Sequence, residues 1–115
     1  MMSKVKWAIL IGFTVALLLF GSTLYSQYKP DPSLYGFPVP NLAVLTKEHN
    51  TGKNFEWSRA SEENGIPFDY EMSLKLRGWK KGEREGAAVV YTKDQQVITL
   101  ISQTDILNVL KTPLR

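Results

Sequence analysis

The chain has 115 residues, a net charge of +3 and no cysteine. That length holds one modest domain, and the lack of cysteine excludes a disulfide framework, a thiolate metal site, a cysteine nucleophile and a cysteine-borne lipid. Lys4 and Lys6 precede the apolar start, which leaves twelve basic residues against eleven acidic ones in the remainder; a nearly neutral body has no nucleic-acid footprint.

Trp7 to Tyr25 (WAILIGFTVALLLFGSTLY) carries no charge over 19 residues. As a helix it would run about 28 Å, close to the hydrocarbon thickness of a bilayer, and a helix pairs its backbone groups internally, as lipid demands. Trp7 at one end and Tyr25 and Tyr28 at the other suit the two interfaces. The cations Lys4 and Lys6, with the α-amino group, precede the segment, so the positive-inside bias predicts a cytoplasmic N-terminus and an outer body. Residues 1–26 are therefore expected to form a cytoplasmic start and a transmembrane helix. The rival is a cleaved signal peptide, with Gly21, Ser22, Thr23 and Ser26 as small residues near a cut. Against it stand the missing A-x-A pattern and the length of the apolar run.

Gln27 to Pro40 (QYKPDPSLYGFPVP) holds four prolines, which remove amide donors and favour extended backbone. It is expected to be a Pro-rich linker, a semi-rigid spacer between membrane and domain. Residues 41–115 are then the extracytoplasmic α+β domain.

Within that domain Leu42 to Lys47 reads as a first strand, Glu48 to Lys53 as a turn, and Asn54 to Ser58 as a second strand with Phe55 and Trp57 on one face. Phe68 to Arg77 alternates like a strand, yet Phe68, Met72 and Leu76 also recur every fourth residue, with Trp79 beyond. Pro67 at the start, Asp69 and Glu71 in the first turn, Lys75 and Arg77 in the last, an i,i+4 Glu71–Lys75 pair and Gly78 as a left-handed cap decide for helix. Ala87 to Thr92 and Val97 to Ser102 are β-rich and joined by a short polar connection, so they should pair. Val97, Ile98, Leu100 and Ile101 are apolar on both faces, which predicts a central strand covered on each side. Ile106 to Lys111 fits either a short helix capped by Asp105 or an extension of the sheet. The expected class is α+β: an N-terminal transmembrane helix plus a small antiparallel sheet with one helix packed on a face.

Phe37-Pro38-Val39-Pro40-Asn41-Leu42-Ala43 before a strand, and Tyr70, Leu74 and Gly78-Trp79 before a hairpin, resemble the Pro-rich entry and the helix-to-Gly-Trp turn of small Bacillus-type single-pass envelope proteins of unknown function. The resemblance covers roughly 37–102. It implies a strand-strand-helix-strand-strand outer domain and a cell-envelope location, and it carries no catalytic residues.

His49 is the only histidine and no G-x-S-x-G or phosphate-binding loop occurs. Glu62-Glu63 and Glu83/Glu85 are carboxylate pairs of the kind a glycan hydrolase uses, but they read as solvated loop residues. The expectation is a non-enzyme without cofactor or metal. The most distinctive cluster is Lys75, Arg77, Lys80, Lys81 and Arg84 around Trp79, a candidate contact for anionic headgroups or wall polymers. The functional expectation is a single-pass membrane protein whose outer body is an interaction module. Its partners would be the lipid bilayer through the helix, and a membrane protein or envelope polymer through the body. The alternatives are an accessory subunit acting through its transmembrane helix and a secreted domain.

Overall fold

The computed structural model describes residues 4–113; the chain start, counted above with the cytoplasmic flank, and residues 114–115 lie outside the described residues. Helix α1 (Lys4–Gln27) is long and apolar enough to cross a membrane, and its side chains are exposed almost throughout. A body follows. It comprises β1 (Tyr28–Asp31), a 3-10 turn (Pro32–Leu34), β2 (Phe37–Pro40), β3 (Val44–His49), β4 (Gly52–Glu56), α2 (Phe68–Leu76), β5 (Lys80–Glu85), β6 (Ala88–Lys93), β7 (Gln96–Gln103) and β8 (Ile106–Lys111). The class is α+β, with antiparallel sheets of two and six strands and a second helix packed against them.

The large sheet runs β3-β4-β8-β7-β6-β5. The β6–β7 hairpin forms as its alternation dictates, with Asp94 in the left-handed region at the turn. Ile106 to Lys111, open between helix and sheet in sequence, is strand β8. It inserts between β4 and β7, pairing Leu107 with Phe55 and Val109 with Leu100. This placement makes β7 and β8 the centre and buries Ile98, Leu100, Leu107 and Val109 on one face. The other face carries Val90, Val97, Ile101 and Leu110, and the second cover expected for it is absent among the described residues. The edges are β3 and β5, both exposed, and each carries a register shift beside charged side chains, a device that discourages further pairing.

Two sequence expectations need correction. The Pro-rich segment is not a spacer. Its strands pair antiparallel, Pro30 opposite Pro38 and Tyr28 opposite Pro40, and Tyr28, Leu34 and Phe37 are buried. Prolines do not prevent this, because a two-stranded hairpin can use the amides of Lys29, Asp31, Phe37 and Val39 for its ladder. The hairpin lies between the sheet and α2. Phe37 meets Trp79 and Tyr91 edge-on at 5.0 and 5.7 Å, while Tyr28 stacks on Tyr70 at 4.7 Å.

The second correction concerns α2. The helix forms where expected, but Phe68 and Leu76 of the Phe68–Met72–Leu76 stripe do not face the core, and Met72 is only partly buried against it. Tyr70, Ser73 and Leu74 do, and Phe68 and Leu76 are 67% and 56% exposed. The aromatic hairpin explains the rotation: Tyr70 stacks on Tyr28 and donates its hydroxyl to Pro38 O at 2.7 Å, an anchor Phe68 could not supply. The glutamate pairing also differs, since Glu71 bridges to Lys81 at 2.7 Å rather than to Lys75. The helix ends as its glycine predicts. Gly78 sits at φ +91°, Gly78 N donates to Lys75 O and Trp79 N to Leu74 O, the double bond of a left-handed cap. That cap turns Trp79 back into the core.

Candidate functional site

The α2 cap and strand β5 together frame a cleft of about 540 Å³, lined by Glu71, Lys75, Trp79, Lys81 and Tyr91, with Lys80 at its rim. Strand register places Lys81 opposite Tyr91, so both lie on the covered face of the sheet. Helix periodicity brings Glu71 and Lys75 to the same wall of α2. The Lys81–Glu71 bridge closes the floor toward a smaller neighbouring cavity that also involves Arg84 and Ser102.

Two polar groups in this cleft's lining residues have no hydrogen-bond partner among the described residues: Trp79 Nε1 and the Tyr91 hydroxyl. Buried polar groups are almost always paired, and an orphan costs about 1–3 kcal/mol. Burial, reinforced by the nearby Glu71 carboxylate, pushes the Tyr91 phenol above its usual range, so it remains a neutral donor. The aromatic wall and the cations Lys75 and Lys80, which make no ion pair among the described residues, suit an anionic ligand group, while Trp79 Nε1 and the Tyr91 hydroxyl are themselves closed to solvent.

The five cations singled out in sequence do not act as one patch. Lys75, Lys80 and Lys81 border the cleft. Arg77 turns the other way: its guanidinium lies 4.6 Å from the centre of the Tyr25 ring and donates to Tyr28 O at 3.3 Å. Arg84 is absorbed by the backbone, donating to Gly86 O at 2.8 Å and to the carbonyls of Glu62 and Glu63. Glu71 and Tyr91 were missed as members of the site. Tyr91 was nonetheless visible as the one aromatic residue of its strand. His49 ends β3, its Nε2 3.1 Å from Asn54 Oδ1, and the described residues contain no group of three potential metal ligands. Glu62 and Glu63 are exposed between β4 and α2, and Glu83 and Glu85 are exposed on the edge strand β5.

The exit of α1 is built as carefully as the cleft. Leu24 is 2% exposed and belongs to the core, and Asn41 bonds back to the carbonyls of Ser26 and Gln27. The Tyr28 hydroxyl donates to Asp69 at 2.9 Å, and Arg59 grips the same carboxylate with both nitrogens at 2.9 and 3.0 Å. On the hairpin's other side Lys53 meets Asp31 at 2.7 Å. Burial opposes ionisation of both aspartates. The hydrogen bonds from Arg59 and Tyr28, and those from Lys53 and Ser33, outweigh it and hold both carboxyls below the ordinary 3.8.

The unfolded chain therefore binds more protons than the folded one in acid. The stabilisation is fully present above about pH 4 and is lost as pH falls through the lowered folded values. Denaturant unfolding of the full chain in detergent, followed by tryptophan emission, is expected to give a flat stability from pH 7 to 5 and a fall below pH 4. That fall should be shallower in Asp31→Asn and Asp69→Asn. Equal slopes in wild type and both variants would remove these carboxylates as its cause.

No protein family, characterised protein or solved structure matches this chain.

Proposed function

We propose that the chain is a single-pass membrane protein, N-terminus in the cytoplasm, whose body outside the cytoplasm is a binding module for an anionic group of a membrane protein or envelope polymer. The observation that carries the placement is α1: no charge from Trp7 to Tyr25, exposed apolar side chains along its length, and a last turn fused to the core. In water such a surface would be a severe aggregation liability. The binding reading rests on the α2–β5 cleft, with its aromatic wall and its lysines Lys75 and Lys80 outside any ion pair among the described residues. The resemblance of 37–102 to small Bacillus-type envelope proteins, which implies a fold and a location, accords with the placement.

The way α1 ends favours an anchor over a cleaved leader. A cut between Gly21 and Ser26 would sever or expose Leu24, a core residue, and loosen the Asn41 contacts. In intact cells the full chain with a C-terminal tag is expected in the membrane fraction, resistant to high salt and carbonate, at the mass of the uncut chain, with the tag open to added protease. A soluble cytosolic chain, or a tag shielded until cells are broken, would refute the placement. For the binding role, a Lys75→Glu/Lys80→Glu variant should keep its fold and lose the crosslinked partner that wild type captures. Undiminished crosslinking would exclude the cleft as the binding site.

A further inference from the structure

Helix α2 buries Leu74, packs Met72 partly against the core and leaves Phe68 and Leu76 exposed, and its position gives that arrangement meaning. Both of its ends are tied to the four residues where α1 stops. Near the start, Asp69 accepts from the Tyr28 hydroxyl; at the end, Arg77 covers the Tyr25 ring and donates to Tyr28 O. Helix α2 therefore packs beside the end of α1, at the level where, on the spanning reading, the chain would leave a bilayer.

Phe68 and Leu76 are exposed on the side of α2 opposite Tyr70 and Leu74. Leu42, the most exposed large apolar residue of the body at 83%, borders a cleft at the same exit with Tyr28, Trp57 and Arg59. The charges agree. The two acids of α2 are neutralised within the body, Asp69 by Arg59 and Glu71 by Lys81. Lys75 and Lys29, two residues past α1, remain exposed and outside any ion pair among the described residues. Two exposed apolar side chains, flanking cations and a position beside the end of α1 suit contact with a membrane interface.

We propose that α2 is an interfacial helix, resting in the outer headgroup layer with Phe68 and Leu76 in the acyl boundary and Lys75 and Lys29 among lipid phosphates. The proposal rests on the membrane-spanning reading of α1. It fixes the body against the bilayer instead of leaving it on a tether, and it sets the α2–β5 cleft beside the lipid surface.

The chain has no cysteine, so single sites can be labelled cleanly. Leu17→Cys, Phe68→Cys, Leu76→Cys and Asp94→Cys variants of the full chain would carry an environment-sensitive fluorophore in phosphatidylcholine–phosphatidylglycerol vesicles, with shallow or deep nitroxide lipids as quenchers. The label at 17 should be quenched most by the deep quencher. Labels at 68 and 76 should be blue-shifted and quenched by the shallow one at least twofold more than the label at 94, which lies on the β6–β7 turn. If 17 is quenched while 68 and 76 behave like 94, the interfacial helix is wrong and the spanning helix stands. If 17 is not quenched, the spanning reading fails and takes this proposal with it. Disulfide-linked dimers through position 76 at high lipid dilution, without quenching there, would assign the stripe to a second copy and overturn the proposal.

Discussion

Phe37→Ala is expected to lower the unfolding free energy by about 3–5 kcal/mol, the range for deleting a fully buried phenylalanine ring. The side chain is completely buried and wedged between Trp79 and Tyr91, so its loss removes two edge-on ring contacts and leaves a cavity between hairpin and sheet. The cavity is hard to collapse. Tyr70 and Tyr28 hold the hairpin from its other side, and the Asp31–Lys53 and Asp69–Arg59 pairs pin its margins. Lys29→Ala, an exposed change in the same strand pair, is expected to stay within about 0.5 kcal/mol of wild type. Urea titrations of the full chain in a mild detergent, followed by tryptophan emission, separate the two. A Phe37→Ala loss below about 1 kcal/mol would mean that residues 28–40 hang from the body as a tether.

Leu17→Arg should act on the other half of the molecule. Leu17 lies near the middle of α1 and is exposed, two turns before Leu24 enters the core. An arginine at the centre of a spanning helix costs about 2.5–3.5 kcal/mol on the insertion scale, and the lost leucine adds about half a kcal/mol. The ratio of membrane-inserted to non-inserted chain should therefore fall by two orders of magnitude or more. Near-UV circular dichroism of the detergent-solubilised variant should match wild type, because position 17 does not touch the body's core. Leu17→Ala is the control and should insert normally. An unchanged ratio for Leu17→Arg would show that this part of α1 does not sit in hydrocarbon.

The cleft and the interfacial helix bear on each other. If both proposals hold, a binding module held at the outer leaflet would present Lys75 and Lys80 at a fixed height, and its partners would be restricted to groups that come close to the membrane. A module on a flexible spacer would sample many heights. The folding of 28–40 into the body is what removes that freedom.

Which features were legible in the sequence follows from where their causes lie. Helix α1 was, because nineteen uncharged residues state their preference locally. The α2 cap was, because a left-handed position after a helix favours glycine and Gly78 is there. The β6–β7 hairpin was, because its β-branched runs are separated by a polar turn. Strand β5 was hidden: Lys-Lys-Gly-Glu-Arg-Glu has no apolar alternation, since an edge strand exposed throughout needs none. Strand β8 was ambiguous because short apolar runs fit either helix or strand, and only the gap between β4 and β7 resolved it.

The deepest difference lies in 28–40 and in the face of α2. Four prolines describe an extended backbone and are silent on what it packs against. Two overlapping periodicities in Phe68 to Leu76 offered two possible core faces. Tertiary structure chose by aromatic packing: Tyr28 stacks only if Tyr70 faces inward, and that single contact turns Phe68 and Leu76 outward. Local chemistry thus determined the elements and the candidate anchor, whereas contacts between residues some forty positions apart decided which surfaces are left to meet the membrane or a ligand.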